Sequence, residues 1–133
     1  MKIFGMITTR GSLDYTRLAL RSFFDHTEPN DEFEFHLIDN DGTYELNRTE
    51  RDRQVHLIRN SSPRGFAENV NSFIETALAK KADLFCLNND LVFAPGWISP
   101  LLGSGNAILS PLSNREYQYN TDFFSTHVAM SMK

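Results

Sequence analysis

Short apolar runs alternate with stretches of helical periodicity along this 133-residue chain, and this alternation is the feature that most limits how it can fold. Four runs predict buried strands, at residues 2–7, 33–38, 55–58 and 84–87. Strands that alternate with helices pack as a mainly parallel sheet, because each crossover helix covers one face of it. The sequence therefore predicts an α/β fold of three layers.

The segments between these runs carry the predicted helices. Ser12 or Asp14 can cap a helix that continues to about residue 26, and residues 44–54 fit a short polar helix. The clearest helix is predicted at residues 66–80, where apolar side chains recur on one face. That face consists of Phe66, Val70, Phe73, Ile74, Ala77 and Leu78.

The last third of the chain is less regular. Residues 97–102 predict a short helix or turn, and residues 107–109 a fifth strand. The polar and aromatic segment at 113–133 shows no clean period, so it is left unassigned. With no linker or repeat in view, we expect residues 1–133 to form a single domain.

Composition excludes several function classes. Thirteen basic and 17 acidic residues give a net charge of −4, which argues against a nucleic-acid partner. No apolar run reaches the roughly 18 residues that a transmembrane segment needs. The first residues lack the pattern of a signal peptide, so we expect a cytoplasmic protein. The single cysteine, Cys86, lies in an apolar run and is predicted to be a small buried residue.

Polar residues collect where the predicted strands end. These ends are residues 8–10, 39–42, 59–60 and 88–90. Ligands of open α/β sheets bind beyond the carboxyl ends of the strands, so four polar ends at one edge suggest a site for a polar ligand. Loops are also polar for reasons of turn geometry, and that simpler interpretation stays open.

Three acids of the predicted sheet stand out. Asp39 and Asp83 suit a hydrogen bond from a base N–H or a ribose hydroxyl. Asp90 suits Mg²⁺ or Mn²⁺ beside a diphosphate, because the phosphates supply the remaining charge and oxygen ligands. Taken singly, each acid is equally consistent with a helix cap or a turn.

The order of four motifs resembles that of family 2 glycosyltransferases of the GT-A fold. The first two are the turn I-T-T-R at residues 7–10 and the strand end L-I-D-N-D-G at 37–42. Residues 63–71 are similar to an N-x-G-F-A-x-x-x-N motif, except that Pro63 replaces its first asparagine. Residues 83–90, D-L-F-C-L-N-N-D, and the P-G-W at 95–97 look like the acid, D-x-D-like triplet and P-G-W of the family.

The resemblance implies a Rossmann-like GT-A domain that transfers a sugar from a nucleotide-diphosphate sugar, such as a UDP-, GDP- or dTDP-sugar, to an unknown acceptor. It implies Mn²⁺ or Mg²⁺ as cofactor, with Asp90 as the metal ligand. It places the nucleotide against Thr8, Thr9, Arg10, Asp39, Arg64, Gly65, Asp83 and Asn88.

Several of these roles have simpler rivals. Arg10 fits an ordinary surface arginine as well, and Asp83 fits a solvated turn residue. Asn88 is neutral, which suits a ribose hydroxyl better than a metal. Trp97 is expected to pack in the core or the floor of a pocket, and Asn71 to serve the structure of its helix.

Family members are usually longer, and the half that binds the acceptor carries their general base. Glu116 and Asp122 lie in no recognisable motif. The resemblance would let His127 reach back to the metal, but His127 fits an ordinary tail histidine better, so no catalytic residue is assigned. We expect an acceptor half that is shortened or absent. The alternative function is therefore a module that binds a nucleotide-sugar without transferring it. Uncovered apolar surface would favour a homo-oligomer.

Overall fold

The computed structural model describes residues 1–28, 32–103, 105, 107–109 and 129–131. The chain divides into two compact units, Met1–Trp97 and Ile98–Lys133. All of the residues predicted to bind the nucleotide or the metal belong to the first unit. The unassigned candidates Glu116, Asp122 and His127 lie outside the described residues.

The first unit contains a parallel four-stranded sheet. Its strands are β1 (Lys2–Thr8), β2 (Phe33–Asp39), β3 (His56–Arg59) and β4 (Asp83–Leu87). The order across the sheet is β3-β2-β1-β4, and every pair is parallel. The predicted parallel sheet is therefore confirmed, and its four strand ends lie at one edge.

Three helices connect these strands, α1 (Leu13–His26), α2 (Arg48–Asp52) and α3 (Phe66–Lys80). The bounds of α3 are those that the sequence predicts. The helix α2 is shorter than the predicted one, because Asn47 caps it: its side chain accepts a hydrogen bond from the backbone N–H of Glu50.

Alternate residues of β1 show that the helices lie on opposite faces of the sheet. Phe4 packs against Phe23 of α1, with ring centroids 4.8 Å apart. Its neighbour Gly5 faces Phe73 of α3 so closely that an added Cβ would lie 2.7 Å from that ring. Successive side chains of a strand point to opposite faces, so the first unit has three layers.

Aromatic rings fill the face that α1 covers. The ring of Phe23 contacts those of Phe4, Phe24, Phe33, Phe35, Phe93 and Trp97. Trp97 also donates from Nε1 to the hydroxyl of Thr27 at 2.7 Å. Its predicted packing role is thus confirmed, since a half-buried tryptophan needs a partner for its N–H.

The predicted burial of Cys86 is wrong, and the apolar face of α3 is buried only in part. Phe73 and Ala77 are buried, but Phe66 and Leu78 of the same apolar stripe are 74% and 73% exposed, because a helix on a sheet buries only the side chains that touch the strands. Cys86 is exposed, since its strand β4 is the edge of the described sheet. The thiol is still desolvated enough by burial to raise its pKa.

The second unit holds a 3-10 turn at Ser99–Leu101 and an antiparallel pair of strands, β5 (Ala107–Leu109) and β6 (Ala129–Ser131). The predicted strand at 107–109 is confirmed, and β6 falls in the segment that the sequence left unassigned. None of the helices in the described ranges has the length and apolar character needed to cross a membrane.

We expect Gly5→Ala to destabilise the protein by about 1–3 kcal/mol, because the new methyl group overpacks the contact with Phe73. Gly11→Ala is the matched control, since an added Cβ there meets no atom within 4 Å. Urea unfolding measures both. Equal midpoints for the two variants would contradict a close contact between β1 and α3.

Candidate functional site

The loops that follow β1 to β4 bring polar side chains to the carboxyl edge of the sheet. These side chains fall into two groups, those bonded to other protein groups and those that are not. The first group builds a frame, and the second is available to a ligand. Each predicted site residue can be placed by this division.

Asp39 belongs to the frame. It ends β2 and is completely buried. Its carboxylate accepts hydrogen bonds from the backbone N–H groups of Thr43 at 3.2 Å and Tyr44 at 2.8 Å, and Arg59 lies 3.8 Å away. A buried carboxylate is stable only when such partners compensate its lost hydration. Asp39 therefore shapes the loop at residues 40–45.

Arg59, at the end of β3, closes the same loop from the other side. Its guanidinium donates to the carbonyl oxygens of Gly42 at 3.2 Å and Tyr44 at 2.8 Å, and to the carboxylate of Glu45 at 3.3 Å. Gly42 has a φ of +70°, a conformation that glycine adopts without strain. The loop is thus held by a cation and a glycine turn.

A buried network backs this loop. The hydroxyl of Tyr44, which is 1% exposed, donates to both carboxylate oxygens of Glu50, at 2.8 and 3.0 Å. Arg17 pairs with Glu50 at 2.9 Å and lies 4.8 Å from the centroid of the Tyr44 ring. Burial, and then the bond to Glu50, raise the pKa of Tyr44.

Three asparagines tie the ends of β2 and β3 to α3. The side-chain oxygen of Asn40 accepts from the amides of Asn60 at 2.8 Å and Asn69 at 3.2 Å, and from the backbone N–H of Arg64 at 2.9 Å. Asn60 also donates to Asn69 at 2.9 Å, and Asn40 to the Arg64 carbonyl at 3.1 Å. The backbone before α3 is therefore fixed.

A second set of bonds joins the end of β4 to the start of α1. The buried hydroxyls of Thr8 and Thr16 lie 2.7 Å apart. Asn89 donates to the hydroxyls of Ser12 at 2.7 Å and Thr16 at 3.0 Å. The middle residue of the triplet 88–90 is thus a structural anchor for the turn.

The neighbours of Asn89, Asn88 and Asp90, are exposed. In the part of the chain that the structure describes, no group bonds to the side chain of Asn88 or to the carboxylate of Asp90. The side chains of Arg10 and Arg64 are likewise exposed and unbonded among these residues, although their backbone N–H groups are held. Among the predicted site residues, the available groups are therefore two cations, one amide and one carboxylate.

A hollow of about 200 Å³ borders Asn88, one of these groups. It is lined by Gly5, Ile7, Phe66, Val70, Phe73, Cys86, Leu87, Asn88 and Asn89.

Gly65 is the N-cap of α3, and no side chain caps that helix. An added Cβ at Gly65 would meet only Glu68, at 3.9 Å, so the backbone there is open to close approach.

The donor set at the end of β4 fits a hard divalent cation. Asp90 offers a free carboxylate and Asn88 an amide oxygen, which are ligands that Mg²⁺ and Mn²⁺ accept. One carboxylate does not fill six coordination positions, so further oxygens must come from water or from phosphates. The residues present therefore fit a metal that binds together with a phosphate ligand.

The other predicted residues are placed as follows. The side chain of Thr8 is buried, and Thr9 bonds through its hydroxyl to Ser12 at 3.1 Å. Asp83 is the first residue of β4, so it lies at the opposite edge of the sheet, about 16 Å from Asn88 at the usual rise per strand residue. The structure does not bring Asp83 to the carboxyl edge, because this acid precedes its strand.

The asparagine network was not predicted from the sequence, although one signal for it exists. Asn69 falls three residues after Phe66 and four before Phe73, on the apolar face of α3. A polar residue at such a position needs a buried partner. Asn71, to which the sequence analysis gave a structural role, is exposed.

Comparisons with known proteins show the family and the fold of the chain. The sequence pattern of the family described as "Glycosyl transferase family 2" matches residues 6–106. A crystal structure of S. aureus TarS 1-349 superposes with a TM-score of 0.61 at 15% sequence identity. The matched region covers 91% of this chain and 40% of the TarS chain. A second S. aureus TarS structure has a TM-score of 0.62 at 14% identity and covers 91% and 24%.

At such identity the likeness shows the fold alone, and it confirms the α/β fold of the GT-A type. The chain thus spans less than half the length of these solved structures. A search of curated proteins finds no match.

We expect Asn40→Ala to destabilise the protein by about 1–3 kcal/mol, because it leaves the buried amide of Asn69 without its acceptor and removes one of the two acceptors of the half-buried Asn60 amide. Asn88→Ala, the control, changes stability by less than about 0.5 kcal/mol, since Asn88 is exposed and unbonded among the described residues. Urea unfolding compares the two. Equal losses of stability in the two variants would show that the asparagine network does not stabilise the carboxyl edge of the sheet.

We expect the contribution of Tyr44 to the free energy of unfolding to decrease at alkaline pH. Its folded pKa is raised above the unfolded value of about 10, so its contribution is complete below pH 10 and declines as the pH rises further. Tyr44→Phe should therefore cost most below that pH, and its deficit should narrow above it. Tyr15→Phe is the control, because Tyr15 is 62% exposed. Urea unfolding at several pH values tests the trend, and a constant deficit would contradict it.

Proposed function

The chain belongs to the glycosyl transferase family 2, and from this premise we propose that it binds a nucleotide-diphosphate sugar at the carboxyl edge of the sheet and transfers the sugar to an acceptor with the help of Mn²⁺ or Mg²⁺. The observation that carries the proposal is the exposed carboxylate of Asp90, which is unbonded among the described residues and follows an anchored asparagine. Asp90 is the proposed metal ligand.

The positive groups at this edge suit a diphosphate. The amino end of α3, at Gly65, carries a partial positive charge, and its first N–H groups have no capping side chain. Arg10 and Arg64 supply two further cations from the loops after β1 and β3. In this proposal the diphosphate lies between these groups and the cation on Asp90.

The nucleoside is proposed to lie against the loop at residues 40–45 and the turn at Thr9. Asp39 is buried and holds that loop, so its contribution is to orient backbone groups rather than to contact the base. Asn88 is the proposed partner of a ribose hydroxyl, because it is neutral and unbonded among the described residues. A preformed loop lowers the ordering cost of binding.

The chemistry then follows from charge. Asp90 would hold Mg²⁺ or Mn²⁺, and the ion would supply positive charge to offset the negative charge that develops on the departing nucleoside diphosphate. Arg10 and Arg64 act on the same charge from the protein side. A general base must still remove the proton of the acceptor hydroxyl.

A binding module that holds the donor without transferring sugar is the second candidate function. Release of nucleoside diphosphate from the donor distinguishes a transferase from such a module.

We expect one nucleotide of the set UDP, GDP, dTDP and CDP to raise the melting temperature only when Mn²⁺ is present. Saturation at about 100 times Kd adds about 2.7 kcal/mol, or roughly 10 °C for a domain of this size. Asp90→Ala should abolish the shift, because the carboxylate links the cation to the protein. A thermal-shift panel with and without metal makes the measurement.

The control is Asp25→Ala. Asp25 is an exposed acid near the end of α1, which lies at the opposite edge of the sheet. This variant should respond as the wild type does, so that a general loss of negative charge cannot explain the result. A shift that persists in Asp90→Ala would move the cation elsewhere, and the absence of any shift would contradict donor binding.

A further inference from the structure

A cluster of metal-ligating side chains lies away from the carboxyl edge, on the face of the sheet that α3 covers. It consists of Glu34 and His36 of β2 and His56 of β3, and is called the His-His-Glu cluster below. His36 and His56 are direct cross-strand partners in the parallel register. Glu34 precedes His36 by two residues, so both side chains leave β2 on the same face.

The three groups are already close together. One ligand atom from each lies within 4.8 Å of the other two. The Nε2 atom of His36 is 2.8 Å from Oε2 of Glu34, and the imidazole rings of His36 and His56 stack with centroids 4.9 Å apart and planes 15° apart. His36 is buried, whereas Glu34 is half-buried and His56 exposed. The backbone pairing of two strands therefore holds the donors on one patch.

We propose that the His-His-Glu cluster binds a Zn²⁺ ion, or a similar transition-metal ion, at a site distinct from Asp90. Two imidazole nitrogens and one carboxylate oxygen are the ligand types that Zn²⁺ prefers, with bonds of about 2.0–2.2 Å. Ligands of a tetrahedral ion at that distance lie about 3.3 Å apart, so small side-chain rotations close the cluster around the ion. Mg²⁺ favours oxygen ligands instead.

Lys80 is the charged neighbour that competes for this carboxylate. Its ammonium group lies 2.6 Å from Oε1 and 2.9 Å from Oε2 of Glu34. The carboxylate has two oxygens, so Oε1 keeps Lys80 while Oε2 exchanges its contacts with Lys80 and His36 for the ion. Without the ion, the hydrogen bonds from Lys80 and then His36 lower the pKa of Glu34.

The cluster is open to solvent and lies toward the amino ends of β2 and β3, away from the carboxyl edge. An open hollow of about 440 Å³ borders Glu34 and His56, and its walls include Glu32, Asp52 and Arg53. His56 is the first residue of β3, whereas Asp90 follows the carboxyl end of β4. Three protein ligands leave one position of a tetrahedral ion for water. Such an ion would tie the short edge strand β3 to β2.

The test is Zn²⁺ binding to the whole untagged chain, measured by titration calorimetry. We expect one Zn²⁺ per chain in the wild type, and in His56→Gln a loss of affinity larger than the roughly 10- to 100-fold that an outer-shell change costs. His56 is exposed, so this variant should fold; Glu34→Gln is the second variant. Mg²⁺ should not compete for the site.

Three controls should bind Zn²⁺ as the wild type does. His26→Gln removes a histidine of α1, Cys86→Ser removes the single thiol, and Asp90→Ala removes the proposed ligand at the other edge. Unchanged Zn²⁺ affinity in both His56→Gln and Glu34→Gln would overturn the proposal. So would an equal loss in His26→Gln, which would indicate adventitious binding to surface histidines, or a loss in Cys86→Ser or Asp90→Ala.

Discussion

The pairing of β1 with β2 on one side and β4 on the other determines the position of every other element in the first unit. Both faces of β1 are covered, by the aromatic cluster around Phe23 and by the ring of Phe73 over Gly5. A buried strand of this kind loses its apolar burial if its register slips by one residue. The register of β1 therefore determines where, along the strand direction, the loops after β2 and β4 leave the sheet.

The carboxyl edge separates two tasks among chemically similar side chains. Asp39 and Asn40 use their polar atoms to satisfy buried donors, and they hold the loops in one arrangement. Asn88 and Asp90 flank the anchored turn residue Asn89 and keep their polar atoms exposed. Such a frame pays the ordering cost of the loops before a ligand arrives, so binding need only order the ligand. The proposed donor site rests on this separation.

The two edges of the sheet offer different donor chemistry. Oxygen ligands and cations gather where the strands end, which suits a hard divalent ion with a diphosphate. Nitrogen ligands gather beside Glu34, where His36 and His56 pair across β2 and β3. The proposed sites therefore differ in the metal they prefer as well as in place. A protein with both would respond to Mn²⁺ and Zn²⁺ through different residues.

The sequence by itself determined the α/β alternation, the bounds of α3 and the family motifs, because these depend on local periodicity and residue order. Only the tertiary structure decided which polar residues are bonded: Asp39 is buried, Asp90 is exposed, and Asp83 lies at the opposite edge. It also brought His36 beside His56, twenty positions along the chain. Strand register and burial arise from contacts between distant segments, and no local pattern of residues encodes them.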